Sequence, residues 1–178
     1  MEKIRLEALF RKHGFNDFKW IKAGDIVVSQ WVRFKCMFGC DSFGKQGACP
    51  PYVPSVAECR EFISEYQHAA LFHFSTSLEK PEDNRAWTRK VCTGLLKLER
   101  DVFLAGYYKA FLLFMGSCYI CSECEGSRLS CKNLKLARPS PEALAIDVYA
   151  TVRQYGYPIE VLQDYKQELN KYGILLIE

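Results

Sequence analysis

Apolar residues along the chain fall into two patterns, helical stripes and short runs rich in β-branched and aromatic side chains. The stripes place apolar residues three or four positions apart, a spacing that buries one face of a helix. They predict helices over residues 2–12, 56–66, 81–104, 140–156 and 164–171. A capping box, formed by Ser55 and Glu58, marks the start of the second helix. The β-type runs predict strands over residues 25–34, 69–74, 109–115, 159–162 and 173–177.

The order of these elements predicts the fold class. Helices and strands alternate, which indicates an α/β layered fold with a mixed, largely parallel sheet. No internal repeat or low-complexity linker is visible, so a single domain over residues 1–178 is expected. Two cysteine-rich loops directly follow the predicted strands 25–34 and 109–115. Parallel strands would place both loops at one edge of the sheet, whereas an antiparallel pairing would separate them.

The second of these loops carries the strongest chemical signal in the sequence. Its cysteines follow the spacing C-x2-C-x2-C-x6-C: Cys118, Cys121, Cys124 and Cys131. Thiolates at this pitch turn inward in succession and can hold three corners of a [4Fe–4S] cluster, as in the ferredoxin pattern C-x2-C-x2-C-x3-C-P. Zinc sites usually combine two separate cysteine pairs, so the tight triplet favours iron–sulfur over zinc.

Basic residues occur in and just after the second loop: Arg128, Lys132, Lys135 and Arg138. Positive charge near a thiolate-bound cluster would offset its negative charge and make it easier to reduce. A solvated surface loop explains the same residues equally well. The sequence leaves these two interpretations open.

The first loop offers three more cysteines at the spacing C-x3-C-x8-C: Cys36, Cys40 and Cys49. Glycines between them allow the backbone to turn tightly, and Pro50-Pro51 stiffens the exit. Three thiols do not complete a site with four ligands. The two remaining cysteines, Cys59 and Cys92, lie on the apolar faces of predicted helices and are expected in the core.

The seven loop cysteines can be divided among clusters in three ways. In the first division, the second loop holds one complete cluster and the first loop holds another with an open iron. Alternatively, Cys131 completes the first site and leaves the open iron on the cluster of the triplet. In the third division a single cluster uses only some of the cysteines.

Charge and hydropathy define the expected setting. The net charge of +3 is too small and too dispersed to indicate nucleic-acid binding. Residues 1–12 lack the apolar run of a secretory signal, and the longest apolar stretch, 110–115, is too short to cross a bilayer. We therefore expect a cytoplasmic protein that binds no membrane. In that compartment an odd count of nine cysteines indicates metal binding rather than a disulfide framework.

Other candidate chemistry is sparse. The sequence has no glycine-rich phosphate loop and no nucleophile elbow. His13, His68 and His73 are scattered, without a visible partner for nucleophilic catalysis. Glu142 and Asp147 lie on the predicted helix after the second loop, close enough in sequence to approach a metal site. Helix capping explains Glu142 as well, and no catalytic role is assigned to either residue.

Three sequence blocks, in order, carry a resemblance to a known family. They are C-x3-C-x2-FGK-x3-CPP, GSC-x2-C-x2-C-x6-C and ARPS-x-EA-x2-IDV, and they span residues 36–156. This series resembles a family of unknown function described as predicted metal-binding proteins, found in anaerobic bacteria and archaea. The resemblance implies metal binding at the seven loop cysteines, with an iron–sulfur cluster as the expected group. Two departures from the family pattern are visible: the missing proline after Cys131, and an alanine in place of the usual glycine in segment 143–146. Neither removes a ligand.

These observations predict a cytoplasmic [4Fe–4S] protein with one or two clusters and an electron-transfer role toward a redox partner protein. Two alternatives stay open. One is a zinc-stabilised structural or interaction protein, and the other is an enzyme that uses an open iron site of the cluster. The sequence assigns no reaction, substrate or oligomeric state.

Overall fold

The computed structural model describes residues 2–164 and 166–178. Within them the chain forms helices and strands in the order α1 (Lys3–Lys12), β1 (Phe18–Lys22), α2 (Gln30–Gly39), α3 (Val56–Ser64), β2 (His68–Thr76), α4 (Asp83–Leu104), β3 (Phe111–Leu113), α5 (Val148–Arg153) and β4 (Leu169–Leu176). Short 3-10 turns occur at Ala23–Asp25 and Glu142–Leu144. Among the described residues, no helix has both the length and the apolar character needed to cross a bilayer.

The strands form a sheet in the order β1-β2-β4-β3, and every neighbouring pair in the described part of the chain is antiparallel. The prediction of a largely parallel sheet is therefore wrong. Both β2 and β3 pair antiparallel with β4, so they point in the same direction with β4 between them. Helix α4 makes the crossover of this split β-α-β arrangement. The local sequence pattern predicts that a helix connects two strands of the same direction. It does not predict that β4 lies between those two strands.

The sheet is buried on both faces. Along β2, Ala69 and Leu71 face one hydrophobic core, whereas Ala70 and Phe72 face the other, because successive strand residues point to opposite sides. Helices α3 and α5 cover the first core, and α1 and α4 cover the second. The sheet thus lies between two helical layers, which explains why β2 is a continuous apolar run. The single domain over residues 1–178 stays a prediction.

The segment 25–34 was expected to be a strand from its β-branched and aromatic residues, and this prediction is wrong. Its second half begins helix α2, and Val28 forms only an isolated bridge with Ile146. The helix buries Val32, and Arg33 donates hydrogen bonds to the carbonyl oxygens of Pro54 and Ala143 at 3.1 and 3.0 Å. These tertiary contacts override the local strand preference.

The predictions for the C-terminal third are only partly correct. The expected helix 140–156 is divided into a 3-10 turn and α5, because Ala145 adopts a left-handed conformation with φ of 60°. Residues 159–162, expected to be a strand, have no regular structure. The expected helix 164–171 gives way to the start of β4, and Tyr165 of that prediction lies outside the described residues.

Several other predictions are confirmed with small changes of boundary. The helices expected at 2–12, 56–66 and 81–104 correspond to α1, α3 and α4, and Ser55 forms the capping box with Glu58. The strand expected at 69–74 lies within β2. Strand β3 covers only the centre of the expected 109–115, and β1 was not expected from the sequence.

Candidate metal centre

The first cysteine loop begins inside helix α2 and not after a strand. Cys36 lies in the last turn of α2, and Cys40 caps its C-terminal end. The chain then turns at Gly44, whose φ of 72° belongs to the left-handed region that glycine favours. The amide of Gly44 donates to the carbonyl oxygen of Pro50 at 3.1 Å, which closes the loop around Cys49. The three thiols are thus carried by one compact turn.

The second cysteine loop follows strand β3, as the sequence predicts. Its entry and exit are joined because the amide of Phe114 donates to the carbonyl oxygen of Pro139 at 2.9 Å. Between these points the chain forms bends and turns without a helix or strand. Cys118, Cys121 and Cys131 are partly buried there, and Cys124 is exposed.

Two arginines of helix α4 hold the backbone of the second loop. Arg89 donates from Nε to the carbonyl oxygen of Tyr119 at 2.6 Å and from Nη2 to that of Cys121 at 2.8 Å. Arg85 also donates to Cys121 O, at 3.2 Å, and to Ser122 O. Sequence reasoning missed both residues, because their only local signal is a position on the polar face of a helix. They fix the segment on which the first two cysteines of the triplet lie.

The two loops are in direct contact. A Cβ atom built at Gly47 would lie 2.7 Å from the carbonyl carbon of Ser127, so only glycine fits against that backbone. Cys49 and Ser117 line the same cavity wall, and Cys49 is close enough to Cys118 for their charges to interact. The expectation that an antiparallel sheet would separate the loops is wrong. The first loop leaves a helix, so strand direction does not determine its position.

Burial is the main cause of the raised pKa values of the partly buried thiols. It raises the pKa of Cys49 to about 12, and charge on Cys36, Cys40 and Cys118 adds to the rise. Burial also raises the pKa of Cys36 and of Cys118; Cys121 and Cys131 add to the rise at Cys118. Without a metal these thiols hold their protons at neutral pH. Metal binding would therefore release protons.

Two of the four basic residues near the second loop are engaged with carboxylates. Arg138 forms an ion pair with Glu99, with Nε–Oε1 at 2.9 Å, and Glu99 also accepts the amide of Leu112 at the same distance. Lys132 pairs with Glu125. The interpretation that these two side chains balance the charge of a cluster is thus weakened. A different donor reaches a cysteine, since Asn133 Nδ2 lies 3.1 Å from Cys121 Sγ.

A cavity of about 440 Å³ opens beside the first loop. Its lining includes Cys36, Cys40 and Cys49 together with Ser117 of the second loop. Among the described residues, no cysteine of the second loop contributes to that lining. The two cysteine groups therefore have different surroundings, one at a cavity and the other within a surface loop.

The donor set fits a thiophilic metal or an iron–sulfur cluster, because both loops present cysteine sulfur. The sulfurs have not converged on one point. In residues 2–164 and 166–178, no group of three or more Cys, His, Asp or Glu side chains is arranged as a preformed metal site. To bind one metal centre, the cysteine side chains must turn toward it. Cys40 and Cys124 are exposed, which leaves room for this movement.

Four candidate residues outside the two cysteine loops are buried or hydrogen-bonded within the fold. Cys59 and Cys92 are each 1% exposed, so their placement in the core is confirmed. Asp147 caps α5 by accepting the amide of Ala150 at 2.9 Å. His73 lies between two partners, Asp17 Oδ2 at 2.6 Å and Asn170 Oδ1 at 2.7 Å.

Comparison with known proteins identifies one relationship. A family described as "Predicted metal-binding protein (DUF2284)" matches residues 19–177, which is most of the chain. No curated protein and no solved structure matches the chain. The match includes both cysteine loops and every strand after the first residue of β1.

Proposed function

Because the chain belongs to the family of predicted metal-binding proteins (DUF2284), we propose that its loop cysteines bind [4Fe–4S] clusters and that it transfers electrons. The single observation that carries this proposal is the contact between the two cysteine loops, where Gly47 packs against the backbone of Ser127. It supports two neighbouring clusters, one on each loop. Clusters of this kind supply one-electron redox chemistry when bound.

The surroundings of the cysteines favour one of the three divisions of ligands. Cys118, Cys121, Cys124 and Cys131 provide four thiols on one loop whose backbone is held by α4. The first loop provides only three thiols, and these line the cavity. We assign a fully ligated cluster to the second loop and a cluster with one open iron to the first.

The residues around the sulfurs have defined roles in this assignment. Asn133 donates toward Cys121 Sγ. Hydrogen bonds to ligand sulfur favour the more negative, reduced state of a cluster because they stabilise charge on it. Arg85 and Arg89 keep the second loop in place without contacting its sulfurs.

The proposed setting is the cytoplasm, with a redox partner protein. All nine cysteines are free thiols, a state that reducing compartments maintain. Cys124 is exposed, so a cluster on the second loop would reach the surface, where a partner exchanges electrons.

A second candidate function is an enzyme that uses the open iron. The observation that favours it is the cavity beside Cys36, Cys40 and Cys49, because a substrate needs room next to the vacant coordination position. A protein that only relays electrons has no need of such a space.

The test is chemical analysis of protein purified without oxygen. Iron and acid-labile sulfide in equal amounts, with a brown colour, would support the clusters, and about eight irons per chain would indicate two of them. Stoichiometric zinc without sulfide would overturn the proposal and leave a zinc-stabilised protein.

Single variants then test the division of ligands. Cys121→Ser should remove the cluster of the second loop and leave that of the first, so iron per chain falls by about half. Cys49→Ser should remove the cluster of the first loop and leave that of the second. Cys59→Ala is the matched control, because it removes a buried thiol of α3 that belongs to neither cysteine loop, and it should keep the full iron content. Equal loss in all three variants would contradict the assignment.

A further inference from the structure

Charged side chains of both signs line the cavity beside the first loop. Lys171 of β4 and Glu142 of the 3-10 turn both line it. They influence each other electrostatically, yet neither appears in an ion pair among the described residues. Two opposite charges that face one cavity without pairing are available to a ligand that bears both charges.

The ammonium group of Lys171 is held in place by neutral partners. It donates to Asn84 Oδ1 at 2.7 Å and to Thr88 Oγ1 at 3.0 Å, and it lies 5.6 Å from the centroid of the Trp87 ring. A largely buried ammonium without a carboxylate is costly, since neutral oxygens replace only part of its hydration. An anionic ligand group would compensate this cost.

The Lys171 ammonium also lies against the chain that leads to the second loop. A Cβ at Gly116 would be 3.5 Å from Nζ, and Gly116 precedes Ser117 in the cavity wall. On the other side, Glu142 acts on the electrostatics of Cys36 as well as of Lys171. The two charges therefore flank the region where the cysteines of the first loop reach the cavity.

A polar side chain next to Lys171 is oriented by its neighbours. Asn170 lines the cavity, and its Oδ1 faces His73 Nε2 at 2.7 Å. The other ring nitrogen of His73 faces Asp17. The amide nitrogen of Asn170 donates one hydrogen to the carbonyl oxygen of Glu168 at 3.4 Å, and its second hydrogen can be donated to a ligand.

The remaining wall is largely apolar. It includes Val148, Ile159, Leu162 and Leu169, with the rings of Tyr149 and Tyr172. Two further carboxylates also line the cavity: Glu160, which pairs with Arg153, and Glu168. The cavity volume of about 440 Å³ is in the range of small-molecule sites. These features suit a small molecule with an apolar body and a polar end.

We propose that the cavity binds a small zwitterionic amino acid with an apolar side chain, its carboxylate on Lys171 and its ammonium on Glu142. Binding through these two residues needs no metal. The placement of the ligand beside an open iron rests on the proposed function. The site goes beyond metal binding, since it specifies the class of molecule that the first loop would face.

The experiment uses isothermal titration of the anaerobically purified protein with three probes. L-leucine carries both charges, 4-methylpentanoate lacks the amine, and 3-methylbutylamine lacks the carboxylate.

Lys171→Met should weaken the binding of leucine and 4-methylpentanoate by about tenfold or more and leave the binding of 3-methylbutylamine unchanged. Glu142→Gln should weaken leucine and the amine to a similar extent and leave 4-methylpentanoate unchanged. Lys97→Met and Glu61→Gln, at exposed positions on α4 and α3, are the matched controls and should bind as the wild type does.

Each outcome decides the inference. The crossed pattern of losses supports it, and no leucine binding to the wild type, or equal effects on all three probes, overturns it. Glu142 is exposed, so its variant tests the proposal even if Lys171→Met does not fold. Iron and sulfide are measured on the same samples. Brown protein that binds no leucine rejects this inference alone, whereas colourless protein that shows the crossed pattern rejects only the cluster.

Discussion

Gly47 packs against the carbonyl group of Ser127 so closely that the two cysteine loops meet backbone to backbone. A Cβ at position 47 would lie 2.7 Å from the carbonyl carbon, well inside the usual contact distance of about 3.5 Å or more. The absence of a side chain at one position therefore brings the loops together. The relationship joins segments 80 residues apart in the sequence.

Gly47→Ala should push the loops apart. We expect a loss of about 1–3 kcal/mol in the free energy of unfolding, as for overpacking, and a lower iron content per chain. Chemical denaturation and metal analysis measure the two effects. Gly24→Ala is the control, because a Cβ there meets nothing within 4 Å and should change neither quantity. A Gly47→Ala protein with normal stability and iron would show that the loops need not touch.

Arg89→Gln should loosen the second loop. The change removes the charged hydrogen bonds to the carbonyl oxygens of Tyr119 and Cys121. We expect the free energy of unfolding to fall by about 1–2 kcal/mol, less than for fully buried hydrogen bonds because Arg89 is partly exposed. Iron should be lost faster to a chelator, followed by absorbance. Arg100→Gln, an exposed arginine on the same helix, provides the comparison. Identical release rates in both variants would argue against the role of Arg89.

Asp147 should act as a helix cap and not at the metal. Asp147→Ala leaves the amide of Ala150 without its acceptor and should cost about 1 kcal/mol of stability, with unchanged iron content. Asp147→Ser supplies another good cap and should recover most of the loss. Thermal unfolding and iron analysis distinguish the two roles. Loss of iron at normal stability would instead assign Asp147 to the metal site.

The charge of Lys171 should make stability depend on pH. Burial lowers the pKa of this lysine, while Glu142 and Cys92 oppose the shift. Between that lowered pKa and about 10.4, the value in the unfolded chain, the unfolded state binds more protons, so this contribution to stability rises with pH. Relative to Lys171→Met, the wild type should gain stability from neutral pH to pH 10. Unfolding titrations of both proteins at several pH values measure the difference, and a constant difference would contradict the prediction.

Local features of the chain were predictable because their causes are local. The capping box at Ser55 and the stripe of α4 depend on spacings within a few residues, and both are found in the structure. The same holds for the burial of Cys59 and Cys92 on helix faces. The cysteine spacing and the accompanying blocks likewise indicated the family.

Long-range features were not predictable in the same way. A strand–helix–strand pattern indicates that β2 and β3 point in one direction, but a distant segment determines which strand lies between them. The segment 25–34 shows the same limit, because contacts of Val32 and Arg33 with distant residues stabilise a helix there.

The sequence by itself determined the chemical groups that this protein offers: seven thiols at fixed spacings in two loops, within a family of predicted metal-binding proteins. Only the tertiary structure decided how that chemistry is arranged. It brought Gly47 against Ser127, Arg89 to the second loop, and Lys171 and Glu142 into the wall of one cavity. The physical reason is that spacing records the neighbours of a residue along the chain, whereas burial and packing select partners from the whole chain.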